Sequence, residues 1–333
     1  MYSIVMSRAR WIGLAASCAV VASGRAQTPV DGVTAAAGVL QRARAFMQDG
    51  QRDSATELLG RHLSQQPNDG RAWFYLGSIY LAEAQHWHRA GHPANVSSAS
   101  LLDFASTSFE PAQELLTDSG GVFRVVVAME RAILRIENSG WDSAATRRLP
   151  ADEVPLPPVL VELGRNLLAS CPHNGVVLTG SLAETAAVWG MRLQGERSDL
   201  LLLRADMYQF DPRYRGRMAR AMGADSAADL PAALASVEAT HPACLSPAMD
   251  SVVGPGLDWH VDRLMLTTAP PPTGFVPALS VFHFTRTGLA GSVWTASARD
   301  VYDLAARRNR SLCKTLFATN DALTLSAIPA CNR

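Results

Sequence analysis

The eight residues Trp73-Phe74-Tyr75-Leu76-Gly77-Ser78-Ile79-Tyr80 limit the fold of this chain more than any other stretch. Their apolar positions follow helical spacing, and Gly77 leaves one side of that helix almost bare. One period earlier, Ala55 offers a second small residue and Pro67 marks a helix end, because proline lacks the N–H a helix needs. Small residues at Ala55 and Gly77 let paired helices approach, while Trp73 and Tyr80 fill the space alongside. The same apolar periodicity covers residues 34–140, interrupted by the turn signals Gly50-Gln51 and Pro67-Asn68-Asp69-Gly70.

Together these positions resemble the W-x2-L-G-x2-Y signature of the tetratricopeptide repeat. That resemblance implies stacked helix pairs of the kind used for protein–protein contact. A second unit starts near Gly70, but Ala105, Phe109 and Ala112 fit its second helix only after a shift. An insertion of about 16 residues relative to the usual period separates its helices. A third, degenerate unit starts near Gly120 and runs through Val125, Met129, Ile133 and Ile136. So few units bury too little surface alone and are expected to dock on the rest of the chain.

The insertion, near residues 86–98, carries His86-Trp87-His88 and His92. Neutral imidazoles this dense can ligate zinc or copper. However, Gly91 and Pro93 interrupt the helix that would align His88 with His92, no cysteine completes a site, and Glu83 is the nearest carboxylate. The alternative is a surface loop with Trp87 as an anchor for a partner. His86, Trp87 and His88 are therefore candidates for partner contact, and no metal is assigned.

Residues 1–27 read as a secretory leader. Arg8 and Arg10 precede the apolar stretch Trp11–Ala22, and Gly24-Arg25-Ala26 supplies small residues before Gln27. The apolar run falls short of the roughly 20 residues that span a bilayer. Leu14-Ala15-Ala16-Ser17-Cys18 faintly resembles a lipoprotein signal, but Cys18 lies inside the apolar run. A cleaved leader and a periplasmic location are expected; a lipoprotein or retained anchor is the alternative. Beyond Cys18 the chain has Cys171, Cys244, Cys313 and Cys331. Four thiols in an oxidising compartment suggest two disulfides with three possible connectivities. A Cys313–Cys331 bridge would pin the terminus, and adjacent strands could join Cys171 to Cys244. Four buried free thiols remain the other reading.

Residues 150–158 are proline-rich and read as a linker. Beyond them, over 159–333, apolar strand-like runs alternate with helical stretches. Strands are expected at Gly175–Thr179, Asp199–Leu203, Ala243–Ser246 and Arg263–Thr267. Helices are expected at Val159–Ser170, Ala183–Gln194, around Arg213–Gly223 and Ser226–Thr240, and at Ala298–Ala318. The pattern predicts a three-layer α/β domain with a mainly parallel sheet behind the helical hairpins.

Within it, Cys171-Pro172-His173-Asn174-Gly175-Val176-Val177-Leu178-Thr179-Gly180, then Gly195-Glu196-Arg197-Ser198-Asp199, His241-Pro242-Ala243-Cys244-Leu245-Ser246 and Gly256-Leu257 follow one another in order. Over residues 160–270 this is similar to the soluble extramembrane region of bacterial protein O-mannosyltransferase-like membrane proteins. Gly180-Ser181-Leu182-Ala183 replaces that family's Gly-Asp-x-Asp turn, and its multi-pass portion has no counterpart here. The resemblance implies a fold and an exported location, and it carries over no catalytic residue.

Ser181 after a strand could present a nucleophile, but Ser181 and Glu184 form S-x-x-E, a capping box. No GxSxG, GxGxxG or Walker lysine surrounds it. Asp258-Trp259-His260-Val261-Asp262 reads as a turn into the next strand. Arg213, Arg215, Arg217 and Arg220 form a local basic helix able to meet an acidic partner. Formal charge sums to zero, so nothing draws the whole chain to nucleic acid or anionic membrane. Membrane contact is expected only through a partner or a retained N-terminus. With no cofactor motif and no catalytic constellation, the leading expectation is an exported, non-enzymatic interaction or scaffold protein, such as an extrinsic subunit or assembly factor of a membrane complex. A glycan- or nucleotide-sugar-binding protein and a hydrolase using Ser181 or His260 are the alternatives.

Overall fold

The computed structural model describes residues 30–89, 96–116, 118–142, 147–249, 253–254, 256–270, 279–287, 292–314 and 328–332. The leader expected at residues 1–27 and His92 lie outside them. Five helices come first: α1 (Val30–Gln48), α2 (Arg52–Gln65), α3 (Gly70–Arg89), α4 (Val96–Leu116) and α5 (Asp118–Ser139). Each packs against the next in sequence. Pro67 lies just past α2, and its carbonyl accepts a hydrogen bond from Trp73 Nε1 at 2.8 Å. Asp69 then starts α3, one carboxylate oxygen accepting from the N–H groups of Arg71 and Ala72 and the other bonding His62 Nε2 at 2.8 Å. One short turn thus ends a helix, caps the next and ties the two together.

Gly77 sits against Phe109 of α4: a Cβ there would lie 2.9 Å from the ring. Phe109 joins Phe74 and Phe123 in a cluster with centroids 4.9 to 5.6 Å apart, linking α3, α4 and α5. Extra length in the second unit goes largely into its helices, which have 20 and 21 residues against 14 in α2. Ala43, Ala55, Leu59, Leu63, Ala72, Leu76 and Ile79 form a small core of their own. From Leu81 onward the buried residues belong to one larger cluster that continues to Ala330. Val154, within the proline-rich stretch, is fully buried in that cluster.

The remaining elements are α6 (Pro158–Ala169), β1 (Val176–Leu178), α7 (Leu182–Leu193), β2 (Leu201–Leu202), α8 (Ala205–Phe210), α9 (Pro212–Met222), α10 (Leu230–Val237), β3 (Ala243–Leu245), β4 (His260–Asp262), β5 (Met265–Thr267), α11 (Phe282–Thr287) and α12 (Val293–Arg308). Strand order is β2-β1-β3-β5-β4. β1 runs parallel to β2 and β3, whereas β5 is antiparallel to both β3 and β4. The sheet is therefore small and mixed, in place of the mainly parallel one expected. The cause is local. Asp258–Asp262 is not simply a turn: His260–Asp262 is a strand, joined to β5 by Arg263 and Leu264 alone, and parallel strands need a crossover of a dozen or more residues. The helix expected over Ala298–Ala318 is interrupted: α12 ends at Arg308, helical backbone resumes at residues 311–314, and the rest of that span lies outside the described residues. Asn309 there accepts from the Ser311 N–H and donates to the Arg263 carbonyl, offering the backbone an exit from the helix.

Two disulfides close the second half, Cys171–Cys244 and Cys313–Cys331. Gly175 permits the first, because a Cβ there would lie 2.4 Å from Cys171 Sγ. Their sequence separations of 73 and 18 residues correspond, in the chain-entropy treatment, to about 4 and about 3 kcal/mol. Arg197 reinforces the same corner, donating to both oxygens of Asp199 and to the carbonyls of Leu168, Cys171 and Pro172.

Glu130 of α5 joins the helices to the sheet. It is 1% exposed, and its Oε1 accepts from Gln85 of α3 at 2.9 Å and from Arg204, just past β2, at 3.2 Å. Arg204 also grips Asp206 at 2.6 and 2.8 Å. Burial works against the Arg204 charge, but Glu130 and Asp206 outweigh it and raise its pKa above the ordinary arginine value.

Replacing Glu130 with Ala leaves that guanidinium without its buried partner. Asp206 still pairs with it, so the expected loss is about 1–3 kcal/mol, read from urea unfolding; an unchanged midpoint would contradict this role. A second expectation concerns acid. Hydrogen bonds from Arg197 hold the Asp199 carboxyl down at about 2, below the unfolded value of about 3.9. A depressed pKa contributes stability above the unfolded value that is lost as pH falls toward the folded one. Asp199→Asn should therefore flatten the loss of thermal stability between about pH 4 and about pH 2.

Candidate partner-binding surface

The second hairpin carries the most exposed aromatic surface among the described helical residues. Phe104 of α4 is 55% exposed, and its ring lies 5.3 Å from that of half-buried Tyr80 on α3. Burial, and then the nearby Glu83 carboxylate, raise the Tyr80 hydroxyl pKa. Ion pairs flank these rings: Arg52–Glu83 at 3.8 Å and Arg131–Asp103 at 2.7 Å. Trp73, Tyr80 and Trp87 recur every seventh residue along α3, about 10 Å apart. Trp87 is half-buried and His86 exposed on the last turn; the His88 side chain lies outside the description.

Of the candidates on the insertion, the structure thus sets His86 and Trp87 at the end of α3. Phe104 escaped the sequence reading. Its signal was present: the core stripe of α4 is Ala105, Phe109 and Ala112, all fully buried, and Phe104 falls off that stripe.

The matched family model is the tetratricopeptide repeat, over residues 36–79. Residues 36–79 are a tetratricopeptide repeat. The matched repeat takes in most of α1, all of α2 and the first half of α3, so it ends beside Tyr80. No curated protein and no solved structure matches the chain. The likeness of residues 160–270 to O-mannosyltransferase-like proteins therefore gains no support from the comparisons.

Beyond the repeat, α9 gathers the arginines. Asp211 caps it by accepting from the Arg213 and Tyr214 N–H groups, and Tyr214, Met218, Ala219 and Met222 are buried. Arg217 turns back to the repeat side, donating to the carbonyls of Glu137 and Asn138 at the end of α5, both at 3.2 Å. Its first task is to satisfy a helix C-terminus. Arg213 is exposed and Arg215 half-buried. Arg213, Arg217 and Arg220 line an open cleft of about 350 Å³ with Glu137, Asn138, Pro212 and Gly216.

Ser181 has a structural task. Its Oγ accepts from the Glu184 N–H, while the Glu184 carboxylate accepts from the N–H groups of Gly180, Ser181 and Ala248. Glu184 is fully buried, so this capping box also fixes the segment after β3. His260 lies 3.5 Å from the largely exposed Asp258. Among the described residues, no group of three or more His, Cys, Asp or Glu side chains is placed to hold a metal ion, and no helix is long and apolar enough to cross a membrane. Ser181→Ala should cost about 1 kcal/mol, as expected of a lost helix cap. Chemical denaturation checks it, and a neutral result would mean the capping bond contributes little.

Proposed function

We propose that this is an exported, non-enzymatic scaffold protein whose tetratricopeptide helices bind a protein partner, as an extrinsic subunit or assembly factor of a membrane complex. The observation that carries the reading is the repeat at residues 36–79 continuing into a hairpin that leaves Phe104 exposed over Tyr80. Aromatic side chains that are rigid and partly desolvated supply much of the affinity at protein interfaces. Both the leader-like residues 1–27 and the two disulfides favour an oxidising, exported location. The Glu130–Arg204 node supports a scaffold role, since it anchors the recognition helices to a cross-linked domain.

Native co-purification after in-cell crosslinking tests the proposal. A partner should be recovered in stoichiometric amount from the exported or membrane fraction. Phe104→Ala should remove it while changing stability by no more than about 0.5 kcal/mol, as for an exposed site. A clean monomer at native abundance, or equal recovery with Phe104→Ala, would overturn the assignment.

A further inference from the structure

Helix α9 breaks two local stability rules, and Arg213 and Gly216, one from each exception, line one cleft. The first concerns charge. Arg213 and Arg215 stand in the first turn, where the helix dipole disfavours cations, and the helix contains no acidic residue. Arg213 and Arg220 have no hydrogen-bonding or ion-pairing side-chain partner among the described residues. The second concerns Gly216. It sits inside the helix, where Ala would be more stable, yet a Cβ there would meet nothing within 4 Å. Neither a turn nor a close neighbour explains that glycine. What it does is keep the cleft open, since Gly216 lines it together with Arg213, Arg217 and Arg220.

From this we infer that the cleft between α9 and the end of α5 receives an acidic segment of the protein partner, with Arg213 and Arg220 as its carboxylate receptors. The inference rests on the partner-binding reading and names the chemistry of that partner. Arg217 neutralises the α5 carbonyls, which leaves the other two free for a ligand. Seven residues of helix separate them by about 10 Å. A peptide in the polyproline II conformation, with three residues per turn and about 3.1 Å rise per residue, places acidic side chains three residues apart on one face, about 9 Å from each other. Both guanidinium groups present the planar fork that suits bidentate carboxylate pairing. Glu137 lines the same cleft but is itself buried.

The test is fluorescence anisotropy on the purified full chain at low salt. The probe is a short labelled peptide with Glu at every third position, and the control has Gln in place of Glu. The Glu peptide should bind at least about tenfold more tightly, and Arg213→Ala with Arg220→Ala should remove that difference. Gly216→Trp should block binding without lowering the unfolding temperature, and Gly216→Ala should raise that temperature. Arg61→Ala, on the far helix α2, should change nothing. Equal binding of the Glu and Gln peptides, unaltered binding by the double variant, full competition by millimolar inorganic phosphate, or tighter binding of a single-stranded oligonucleotide would each overturn the inference. Phe104→Ala should leave peptide affinity intact, so failure of the aromatic surface and failure of the arginine cleft remain distinguishable.

Discussion

One buried carboxylate holds two kinds of architecture together. Glu130 is withdrawn from water and answers to a glutamine on α3 and an arginine beyond β2. Hiding such a charge is costly unless its partners are fixed. Here they are fixed by packing on either side: α5 lies between α4 and the helices α7 and α9. A tetratricopeptide array normally continues until a capping helix closes it. In this chain the sheet domain takes that place, and the apolar cluster passes from α5 into it without a break.

That arrangement explains why so much of the fold was legible and where legibility stopped. Helix pairing in the first half follows from small residues and caps: Pro67 and Asp69 act within a few residues of their neighbours, and Gly77, which meets Phe109 of the next helix, is announced by the repeat spacing around it. The capping box at Ser181 and Glu184 is equally local and equally readable. Strand direction is different. Ala243–Leu245 and Met265–Thr267 look alike as short apolar runs, and only the two-residue link between β4 and β5 makes the distal half antiparallel. With strands of two or three residues, periodicity had too few positions on which to act. The end of α12 turns on Asn309 reaching Arg263, a contact 46 residues away in sequence.

The same division holds for the surface. A cluster of arginines at 213–220 is visible in the sequence, but that Arg217 serves the end of α5 while Arg213 and Arg220 do not requires knowing which helix lies opposite. Phe104 likewise becomes meaningful only against Tyr80. Sequence periodicity says which residues leave the core; it does not say which of them gather.

The Cys171–Cys244 link has a mechanical consequence. Arg204, the residue that grips Glu130, lies inside the loop this bond closes. Tension applied to the N-terminal helices would therefore enter a segment whose two ends are covalently fastened. β1, β2 and β3 could not be peeled apart to the full length of the chain, and the slack available to a pulled molecule is shortened by the span of that loop.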